Sequence, residues 1–330
     1  MNKLYVLGEA LMDCVAQPDG SLLPFMGGSP FNLARAAALR GRGHQNDIDK
    51  DQAADAVPVG FINPLSTDFF GDQMRAQFAQ DGVLTLLPPS GLPTSLAVVQ
   101  ITGGQPSYGF YREGIADRDY AVDQVLALLK SEHSGGGLRV LHTGSLLLVP
   151  PEHHKVLAIL QGAKAMGWTL SVDVNLRPKL AADLPAYVTA VKQVATLADW
   201  LKASDEDLEL LGFASPSRLN AAEIAKSFTA QGASRVALTF GANGAWLEVN
   251  RISAQADVPI VKVVDTVGAG DTFWGNCLGD WASGDGPQRG QSAGGRVAKT
   301  LTEAMRAAAI NCTRAGCQPP TYAETLASSI

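Results

Sequence analysis

The stretch Asp265-Thr266-Val267-Gly268-Ala269-Gly270-Asp271-Thr272-Phe273 is the most informative part of this sequence. It follows an apolar run, 258–264, that is interrupted only by Pro259 and Lys262. Apolar residues at helical spacing continue from Phe273 to Trp281. The pattern predicts a strand, a glycine-rich turn and a helix, in that order.

The two glycines of this turn suggest a site for an anion. Gly268 and Gly270 can adopt backbone conformations that other residues resist, so several N–H groups can point at one place. These groups lie at the start of a helix, where the helix dipole favours negative charge. Asp271 adds a carboxylate beside them, which suits the removal of a proton from a hydroxyl that attacks a phosphoryl group. An ordinary helix with Asp271 as its N-cap would show the same local pattern.

The composition excludes several classes of function. Of the 330 residues, 46% are hydrophobic and 18% are charged, as in ordinary globular proteins. The net charge of -6, spread without long blocks, argues against a nucleic-acid partner. No apolar run approaches the roughly 20 residues of a membrane span, and the N-terminus lacks the features of a signal peptide. The four cysteines form no C-x-x-C pair. We therefore expect a cytoplasmic protein with reduced thiols.

Strands and helices alternate along the whole chain. The strand-like runs lie at 3–7, 57–62, 97–101, 139–141, 169–174, 200–202, 236–240 and 245–249. Such alternation predicts an α/β protein with a doubly wound, mostly parallel sheet, whose ligands bind beyond the carboxyl ends of the strands. Because no linker separates two autonomous halves, residues 1–330 are expected to form one domain.

Two segments, 11–26 and 94–112, break this alternation, since each reads as short strands joined by a turn. The two segments can pair into a small sheet that covers the site as a lid, and a lid of that kind excludes water. Alternatively, both are edge hairpins of the main sheet. Residues 42–56, 134–137 and 283–295 are polar or glycine-rich and are expected to be loops.

A second glycine-rich site, Gly27-Gly28-Ser29-Pro30-Phe31-Asn32, precedes another helix. Paired glycines let a ligand approach the backbone closely, and the Asn32 amide offers a donor and an acceptor to a polyol. Asp13 follows the first strand, where it could bind two vicinal hydroxyl groups or be a solvated turn carboxylate. Neither signal alone identifies a ligand.

Two arginines stand near the expected ligand edge. Arg112 follows Tyr111 in the second hairpin, and Arg177 follows Asn175 after an apolar strand. Arginine is always charged and matches oxyanions with its fork of donors, although a surface salt bridge would explain either residue equally well. Asn243-Gly244 is typical of a tight turn. The sequence contains no P-loop or H-E-x-x-H motif.

Taken in order, these motifs resemble those of the ribokinase-like (PfkB) family of sugar kinases. The two glycine-rich motifs are the main matches, and the resemblance extends from Gly8-Glu9 to the segment 313–317. Within the family the sequence is most similar to the fructokinases. The stretches that carry this likeness are Gly8-Glu9-Ala10-Leu11-Met12-Asp13, Phe110-Tyr111-Arg112, Ala116-Asp117, His142-Thr143-Gly144-Ser145 and Asp173-Val174-Asn175-Leu176-Arg177-Pro178.

The resemblance implies a three-layer α/β/α fold with a β-sheet lid and ATP-dependent phosphorylation of a primary hydroxyl. It implies Asp271 as the base and the amides of Gly268, Ala269 and Gly270 as the anion hole. The residues implied near the sugar or its phosphate are Asp13, Gly28, Asn32, Tyr111, Arg112 and Arg177. Those implied near the nucleotide are Asn175, Lys202, Ser204, Thr239, Gly241, Gly244 and Met305. Mg²⁺ is expected on the phosphates, and some members also bind K⁺ near the positions of Asp265 and Thr266.

Several positions depart from the family pattern. The usual N-x-x-E appears as Ser204-Asp205-Glu206-Asp207, and Asn63, Pro64 and Ser66 stand where glycines are common. Met305 occupies a position where many members carry Asn or His near the adenine. The segment 42–56 has no obvious counterpart.

The sequence therefore predicts a sugar kinase that transfers the γ-phosphate of ATP to a ketohexose, with O6 of D-fructose as the expected acceptor. Its partners would be a small sugar, a nucleotide and, as is common among relatives, a second copy of the chain. Two other functions stay open. One is phosphorylation of 2-keto-3-deoxygluconate or of another sugar or nucleoside, and an acidic sugar would place its carboxylate on Arg112. The other is sugar sensing by a binding protein with an inactive kinase site.

Overall fold

The computed structural model describes residues 1–43, 57–102, 105–132, 136–284 and 292–328. Strands and helices alternate through most of this range, as the sequence predicts. In chain order the strands are β1 (Lys3–Leu7), β2 (Leu11–Ala16), β3 (Leu22–Gly27), β4 (Val59–Phe61), β5 (Val83–Thr85), β6 (Ser95–Thr102), β7 (Gln105–Tyr111), β8 (Arg139–Gly144), β9 (Thr169–Asp173), β10 (Trp200–Ser204), β11 (Arg235–Thr239), β12 (Ala245–Val249) and β13 (Ile252–Ala256).

Helices occupy most of the intervals between the strands of the main sheet. They are α1 (Ser29–Gly43), α2 (Phe69–Asp81), α3 (Val122–Ser131), α4 (His153–Ala165), α5 (Leu184–Ala195), α6 (Asp205–Leu210), α7 (Ala221–Thr229), α8 (Ala269–Ala282), α9 (Ala293–Asn311) and α10 (Tyr322–Ala327). Among the described residues, no helix is both long and apolar enough to cross a membrane. None of the four cysteines forms a disulfide within the described residues.

The main sheet has nine strands in the order β13-β12-β11-β10-β9-β8-β1-β4-β5. The strands from β11 to β5 run parallel, whereas β12 and β13 are antiparallel additions at one edge. The chain therefore winds outward in both directions from β1 and β8, which is the doubly wound arrangement expected from the alternating pattern. The carboxyl ends of the parallel strands meet at one edge of this sheet.

Both faces of the sheet are buried. In β1, Leu4 and Val6 point to one face while Tyr5 and Leu7 point to the other, and each is at most 4% exposed. The first pair packs in a core with α1, α2, α8 and α9, and the second pair packs in a core with α3, α4, α5 and α7. Burial on both sides explains why the strands read as continuous apolar runs. The three-layer α/β/α fold predicted from the sequence is thus confirmed.

A separate four-stranded sheet has the order β3-β2-β6-β7. The hairpins β2-β3 and β6-β7 are antiparallel, and they join through parallel pairing of β2 with β6 from Leu11–Ser95 to Val15–Val99. The segments 11–26 and 94–112 therefore pair with each other rather than extending the edges of the main sheet. Leu11, Ala97 and Leu146 form a small apolar cluster between this sheet and the main body.

One predicted strand is wrong. The apolar run 258–264 is not part of a sheet, and Ile260 is 98% exposed. Pro259 has no N–H to give to a ladder, and no described strand lies alongside this segment. The amides of Val264 and Asp265 instead donate to the Cys312 carbonyl at 2.8 and 3.2 Å. The approach to the glycine-rich turn is therefore held by the end of α9 and not by the sheet.

Of the three predicted loops, parts lie outside the described residues. Helix α1 extends to Gly43, so Arg42 and Gly43 are helical and not loop residues, and 44–56 fall outside the described range. The same holds for 133–135 and 285–291. Helix α9 begins at Ala293, capped by the Ser292 hydroxyl, so the third loop ends three residues earlier than the sequence suggests.

Candidate active site

The N-terminus of α8 forms the turn that dominates the sequence. Gly268 is its N-cap residue with φ 74°, and a Cβ there would lie 2.2 Å from Sγ of Cys317, so both conformation and packing require glycine. The Ala269 amide donates to the Thr266 carbonyl at 3.2 Å. The amides of Gly268 and Gly270 make no hydrogen bond within the described part of the chain. Of the three amides expected in an anion hole, these two remain to receive an anion.

Asp271 is the third residue of α8 and not its N-cap, so the alternative interpretation of this carboxylate is wrong. The residue is 8% exposed, and both of its oxygens accept hydrogen bonds from α1. Oδ1 accepts from the Ser29 hydroxyl at 2.7 Å, and Oδ2 accepts from Nδ2 of Asn32 at 3.0 Å. Burial raises the pKa of Asp271, and these two hydrogen bonds oppose the rise. The two glycine-rich motifs therefore meet at this carboxylate.

A chain of hydrogen bonds links Asp271 to Arg177 beyond the end of β9. Nδ2 of Asn175 donates to Oγ of Ser29 at 2.8 Å, and Nη1 of Arg177 donates to Oδ1 of Asn175. Asn175 has φ 37°, an unusual conformation for a residue other than glycine. The family resemblance implies that Asn175 lies near the nucleotide, and in the structure its side chain contacts Ser29.

Asp13 on β2 lies within electrostatic range of the same cluster. Burial raises the pKa of Asp13 to about 6, the charge of Arg177 opposes the rise, and the charge of Asp271 adds to it. A Cβ at Gly27, on the neighbouring strand β3, would lie 2.1 Å from Oδ2 of Asp13. Gly28 has φ 100°, and a Cβ there would lie 2.7 Å from the carbonyl oxygen of Glu9. The glycine pair thus makes room for the carboxylate of Asp13 and for the turn after β1.

A second group of buried charges, Glu9 and Asp117 around Arg112, lies beside this cluster. Glu9 and Asp117 are each 1% exposed, and the Arg112 guanidinium lowers the pKa of both carboxyls against the larger effect of burial. Burial raises the pKa of Asp117 to about 7. Asn63 supports the arrangement, because its side chain accepts from the Gly8 amide and donates to the Asp117 carbonyl, each at 2.7 Å. This contact gives a role to one of the departures from the family pattern.

Lys202 and Asp173 form a second buried pair beneath the turn. Nζ of Lys202 lies 2.9 Å from both carboxylate oxygens of Asp173. A Cβ at Gly270 would lie 3.3 Å from the same Nζ, so the ammonium group lies directly behind the turn. Burial raises the pKa of Asp173 to about 6 despite the neighbouring Lys202. Lys202 was expected to face the nucleotide, and the structure shows its charge engaged by Asp173.

The remaining residues expected near the nucleotide have mainly structural contacts. Ser204 is the N-cap of α6 and exchanges hydrogen bonds with Asp207, whose other oxygen accepts from the Leu176 amide at 2.7 Å. A Cβ at Gly244 would lie 2.2 Å from the Ala256 carbonyl oxygen, so strand packing requires this glycine. Met305 is 8% exposed and packs in the core with α1 and α8. Thr239 and Gly241 lie at the carboxyl end of β11, at the expected ligand edge.

The segment expected to bind a monovalent cation is organised by Asp265. Its Oδ1 accepts from the Val267 amide at 3.0 Å, and its Oδ2 accepts from the Gly316 amide at 2.9 Å. Thr266 contributes its carbonyl to the Ala269 amide. The carboxylate therefore joins the turn to the segment after α9. Tyr111, which was expected near the sugar, is 65% exposed at the end of β7.

Comparison with known proteins gives a match over almost the whole chain. A family model described as pfkB family carbohydrate kinase matches residues 1–324. The chain belongs to this family. The fructokinase of Rhizobium leguminosarum bv. trifolii is 29% identical over 276 residues, which cover 81% of this chain and 76% of that protein. Probable fructokinase-4 of Arabidopsis thaliana is 30% identical over 287 residues, which cover 82% of this chain and 79% of that protein.

Solved structures agree with the assignment to the pfkB family. The crystal structure of fructokinase with bound ATP from Xylella fastidiosa matches with a TM-score of 0.78 at 26% identity. The match covers 99% of this chain and 98% of that chain. The family and the ribokinase-like fold predicted from the sequence are both confirmed. The protein is thus a carbohydrate kinase of the pfkB family.

The central residues of this pfkB-family site are predictable from the sequence, whereas the residues that support them are not. Asp271, Asn32, Asp13 and Arg177 belong to recognisable motifs, and the fold brings them together. Ser29 also stands inside a glycine-rich motif, but a serine that opens a helix is ordinarily a cap, so its contact with Asp271 leaves no signal in the sequence. Glu9 and Asp117 were also missed as a pair, since they are far apart in the chain and only the three-dimensional structure shows that both lie close to Arg112.

Proposed function

We propose that this pfkB-family kinase transfers the γ-phosphate of ATP to O6 of D-fructose, with Asp271 as the general base. The position of Asp271 carries the proposal. This carboxylate is almost fully buried between two unengaged amides at the start of α8 and the polar cluster of Asp13, Asn32 and Arg177. A base at such a position can reach an alcohol on one side and a phosphoryl group on the other.

The reaction then needs one proton transfer and one displacement. The acceptor hydroxyl, held by Asp13 and Asn32, gives its proton to Asp271 as its oxygen attacks the γ-phosphorus. The bond from that phosphorus to the bridging oxygen of ADP breaks. The amides of Gly268 and Gly270 stabilise the charge on the migrating group, as donors fixed in place before the reaction do most effectively.

The residues around the turn suit a nucleotide that brings its own metal ion. No group of three metal-ligating side chains occurs in the described ranges. The carboxylates of Asp173, Asp207 and Asp265 are engaged by Lys202 or by backbone amides. Mg²⁺ is usually held through substrate phosphates and water, and it neutralises the charge on those phosphates. We assign the nucleotide to the carboxyl ends of β10 and β11, with Thr239 and Gly241 at its edge. We assign K⁺, where it is used, to the segment that Asp265 joins to Gly316.

A neutral sugar fits the charges of the site better than an acidic one. Arg112 is the cation that an acidic sugar would need, yet Glu9 and Asp117 already lie around it in a buried environment. A carboxylate on the substrate would meet these two acids as well as the arginine. The names of the relatives, which are fructokinases, point to the same acceptor.

The small sheet is proposed to act as the lid over the sugar, since β2 carries Asp13 to within electrostatic range of Arg177 and Asp271. Its edge strand β3 exposes Leu22 and Leu23, which are 50% and 48% accessible. An exposed apolar edge strand is a surface that proteins usually cover. We assign this edge to the contact between two copies of the chain in a homodimer.

A panel of sugars tests the function. The chain is incubated with ATP, Mg²⁺ and D-fructose, 2-keto-3-deoxygluconate, D-ribose or a nucleoside, and ADP release is measured. We expect the highest kcat/KM with D-fructose and a product whose phosphate is on O6 by ³¹P–¹H NMR correlation. Preference for another acceptor would overturn the fructose assignment. Sugar binding without ADP release from any of them would show a sensor with an inactive kinase site.

A further inference from the structure

The hydroxyl of Ser29 has a fixed direction. Arg177 can only donate, so Oδ1 of Asn175 must face it and Nδ2 of Asn175 must face Ser29. Oγ of Ser29 accepts that hydrogen bond, and the single hydroxyl proton is left for Oδ1 of Asp271 at 2.7 Å. The series Arg177, Asn175, Ser29, Asp271 is therefore a one-way chain of donors that begins at a cation and ends at a carboxylate.

The position of Ser29 is rigid. It opens α1, it is 7% exposed, and its amide donates to Oε1 of Glu9 at 3.3 Å. The next residue, Pro30, packs closely on Gly8, because a Cβ added at Gly8 would lie 2.0 Å from the ring of Pro30. The hydroxyl consequently has little freedom to leave Asp271, and hydrogen bonds in such a dry environment polarise one another.

We propose that Ser29 is a positioning residue of the phosphoryl transfer, whose hydroxyl orients the Asp271 carboxylate and transmits the charge of Arg177 to it through Asn175. This inference rests on the proposed function, in which Asp271 is the base. Ser29 itself needs no contact with sugar or nucleotide in this role.

The other charges around Asp271 set the background against which Ser29 acts. Lys202 on β10 and Arg177 beyond β9 favour the ionised carboxylate. Asp13 on β2 and Asp173 on β9 lie close enough to disfavour it, and the buried thiol of Cys317 lies near it as well. All of these remain when the Ser29 hydroxyl is removed. A loss of that donor alone should therefore raise the pKa at which Asp271 takes up a proton.

The test compares Ser29→Ala with Ser29→Thr, which keeps a hydroxyl. For Ser29→Ala we expect kcat to fall about tenfold, since an aligned donor to a carboxylate is lost. We expect KM for both substrates to change less than about twofold, and the acidic limb of kcat/KM to move up by about one pH unit. Ser29→Thr should recover most of both effects. The matched control is Ser95→Ala on β6, a buried serine whose hydroxyl has no partner in the described residues.

A double-mutant cycle tests the chain itself. Asn175→Ala should shift the acidic limb in the same direction as Ser29→Ala, and it should add almost nothing in the Ser29→Ala background, because both act through one hydroxyl. If Ser29→Ala changes neither kcat nor the acidic limb of the pH profile of kcat/KM, the inference is overturned. A change confined to KM for the sugar would also overturn it, because that result describes a substrate contact.

A measurement without turnover separates this inference from the proposed function. In protein labelled with ¹³C at the aspartate side-chain carboxyl carbon, with Asp271→Asn used to assign the signal, the Asp271 resonance reports its pKa directly. We expect that pKa to rise by about one unit in Ser29→Ala and in Asn175→Ala and not in Ser95→Ala. The same pKa in all of them would refute the role of Ser29. Failure of the parent protein to phosphorylate fructose would refute only the proposed acceptor.

Discussion

Lys202 and Asp173 form a buried ion pair directly behind the turn that carries Asp271, with Nζ 2.9 Å from each carboxylate oxygen. The lysine is 4% exposed, and the aspartate is completely buried. Removal of one member leaves an uncompensated charge in the core, which typically costs 3–5 kcal/mol. We therefore expect Lys202→Met to lower the free energy of unfolding by about 3 kcal/mol in urea titrations. Lys202→Met combined with Asp173→Leu should regain most of that loss, and equal stability of the single variant and the parent would contradict the prediction.

Asp271→Asn tests the base. The amide keeps the shape of the side chain and a hydrogen-bond acceptor for Ser29, but it cannot take up the proton of the acceptor alcohol. General-base catalysis typically contributes about 10²–10⁴ in rate, so kcat should fall by at least roughly 10²-fold. KM for ATP should stay nearly constant, because the amides of the turn are unchanged. Turnover close to that of the parent in a steady-state ADP-release assay would remove Asp271 from this role.

Gly27→Ala tests the room that the small sheet leaves for Asp13. The new methyl group would lie 2.1 Å from Oδ2 of Asp13 and must displace the carboxylate. Overpacking of this kind costs about 1–3 kcal/mol, which corresponds to an increase of about fivefold or more in KM for the sugar if the whole cost falls on binding. Gly91→Ala is the matched control, since among the described residues no atom outside Gly91 and its two chain neighbours lies within 4 Å of the added Cβ. An unchanged KM in Gly27→Ala would separate Asp13 from the sugar.

The pKa of Asp13 predicts how stability depends on pH. Its carboxyl has a pKa raised from 3.8 to about 6 in the folded protein, mainly by burial. Between these values the folded form holds a proton that the unfolded form has released. The contribution of the protonated Asp13 carboxyl to the free energy of unfolding is therefore fully present below about pH 4, and it is lost as the pH rises through about 6.

Urea titrations of the parent and of Asp13→Asn at several pH values measure this contribution. Between about pH 4 and pH 7, the free energy of unfolding of the parent should fall by about 2 kcal/mol more than that of the variant, allowing for the partial exposure of Asp13. The other carboxyl groups titrate in both proteins, so the difference isolates Asp13. If the free energies of unfolding of the parent and of Asp13→Asn change in parallel with pH, the pKa of Asp13 is close to its ordinary value.

Some features of this protein are encoded locally in its sequence, and others depend on residues that are distant in the chain. The turn at Gly268 and the motif at Gly28 were recognisable, because glycines at a helix start leave a signal within a few residues. The strand expected at 258–264 was wrong because apolar content alone does not supply a neighbouring strand. The contacts of Ser29, Glu9 and Asp117 could not be predicted, since each depends on residues that approach only when the sheet is assembled.

Asp117→Asn tests how the site distinguishes neutral from acidic sugars. Asp117 is 1% exposed and lies close enough to Arg112 for the guanidinium to lower its pKa, so the amide would leave Arg112 with one less negative neighbour. We expect the ratio of kcat/KM for 2-keto-3-deoxygluconate to that for D-fructose to rise about tenfold, the effect of about 1.4 kcal/mol. Arg112→Ala, which removes the cation, should move the ratio in the opposite direction. Glu209→Gln on the exposed side of α6 has the same change of charge away from the site and should leave the ratio unchanged. A constant ratio in Asp117→Asn would mean that the buried acids do not control the choice of acceptor.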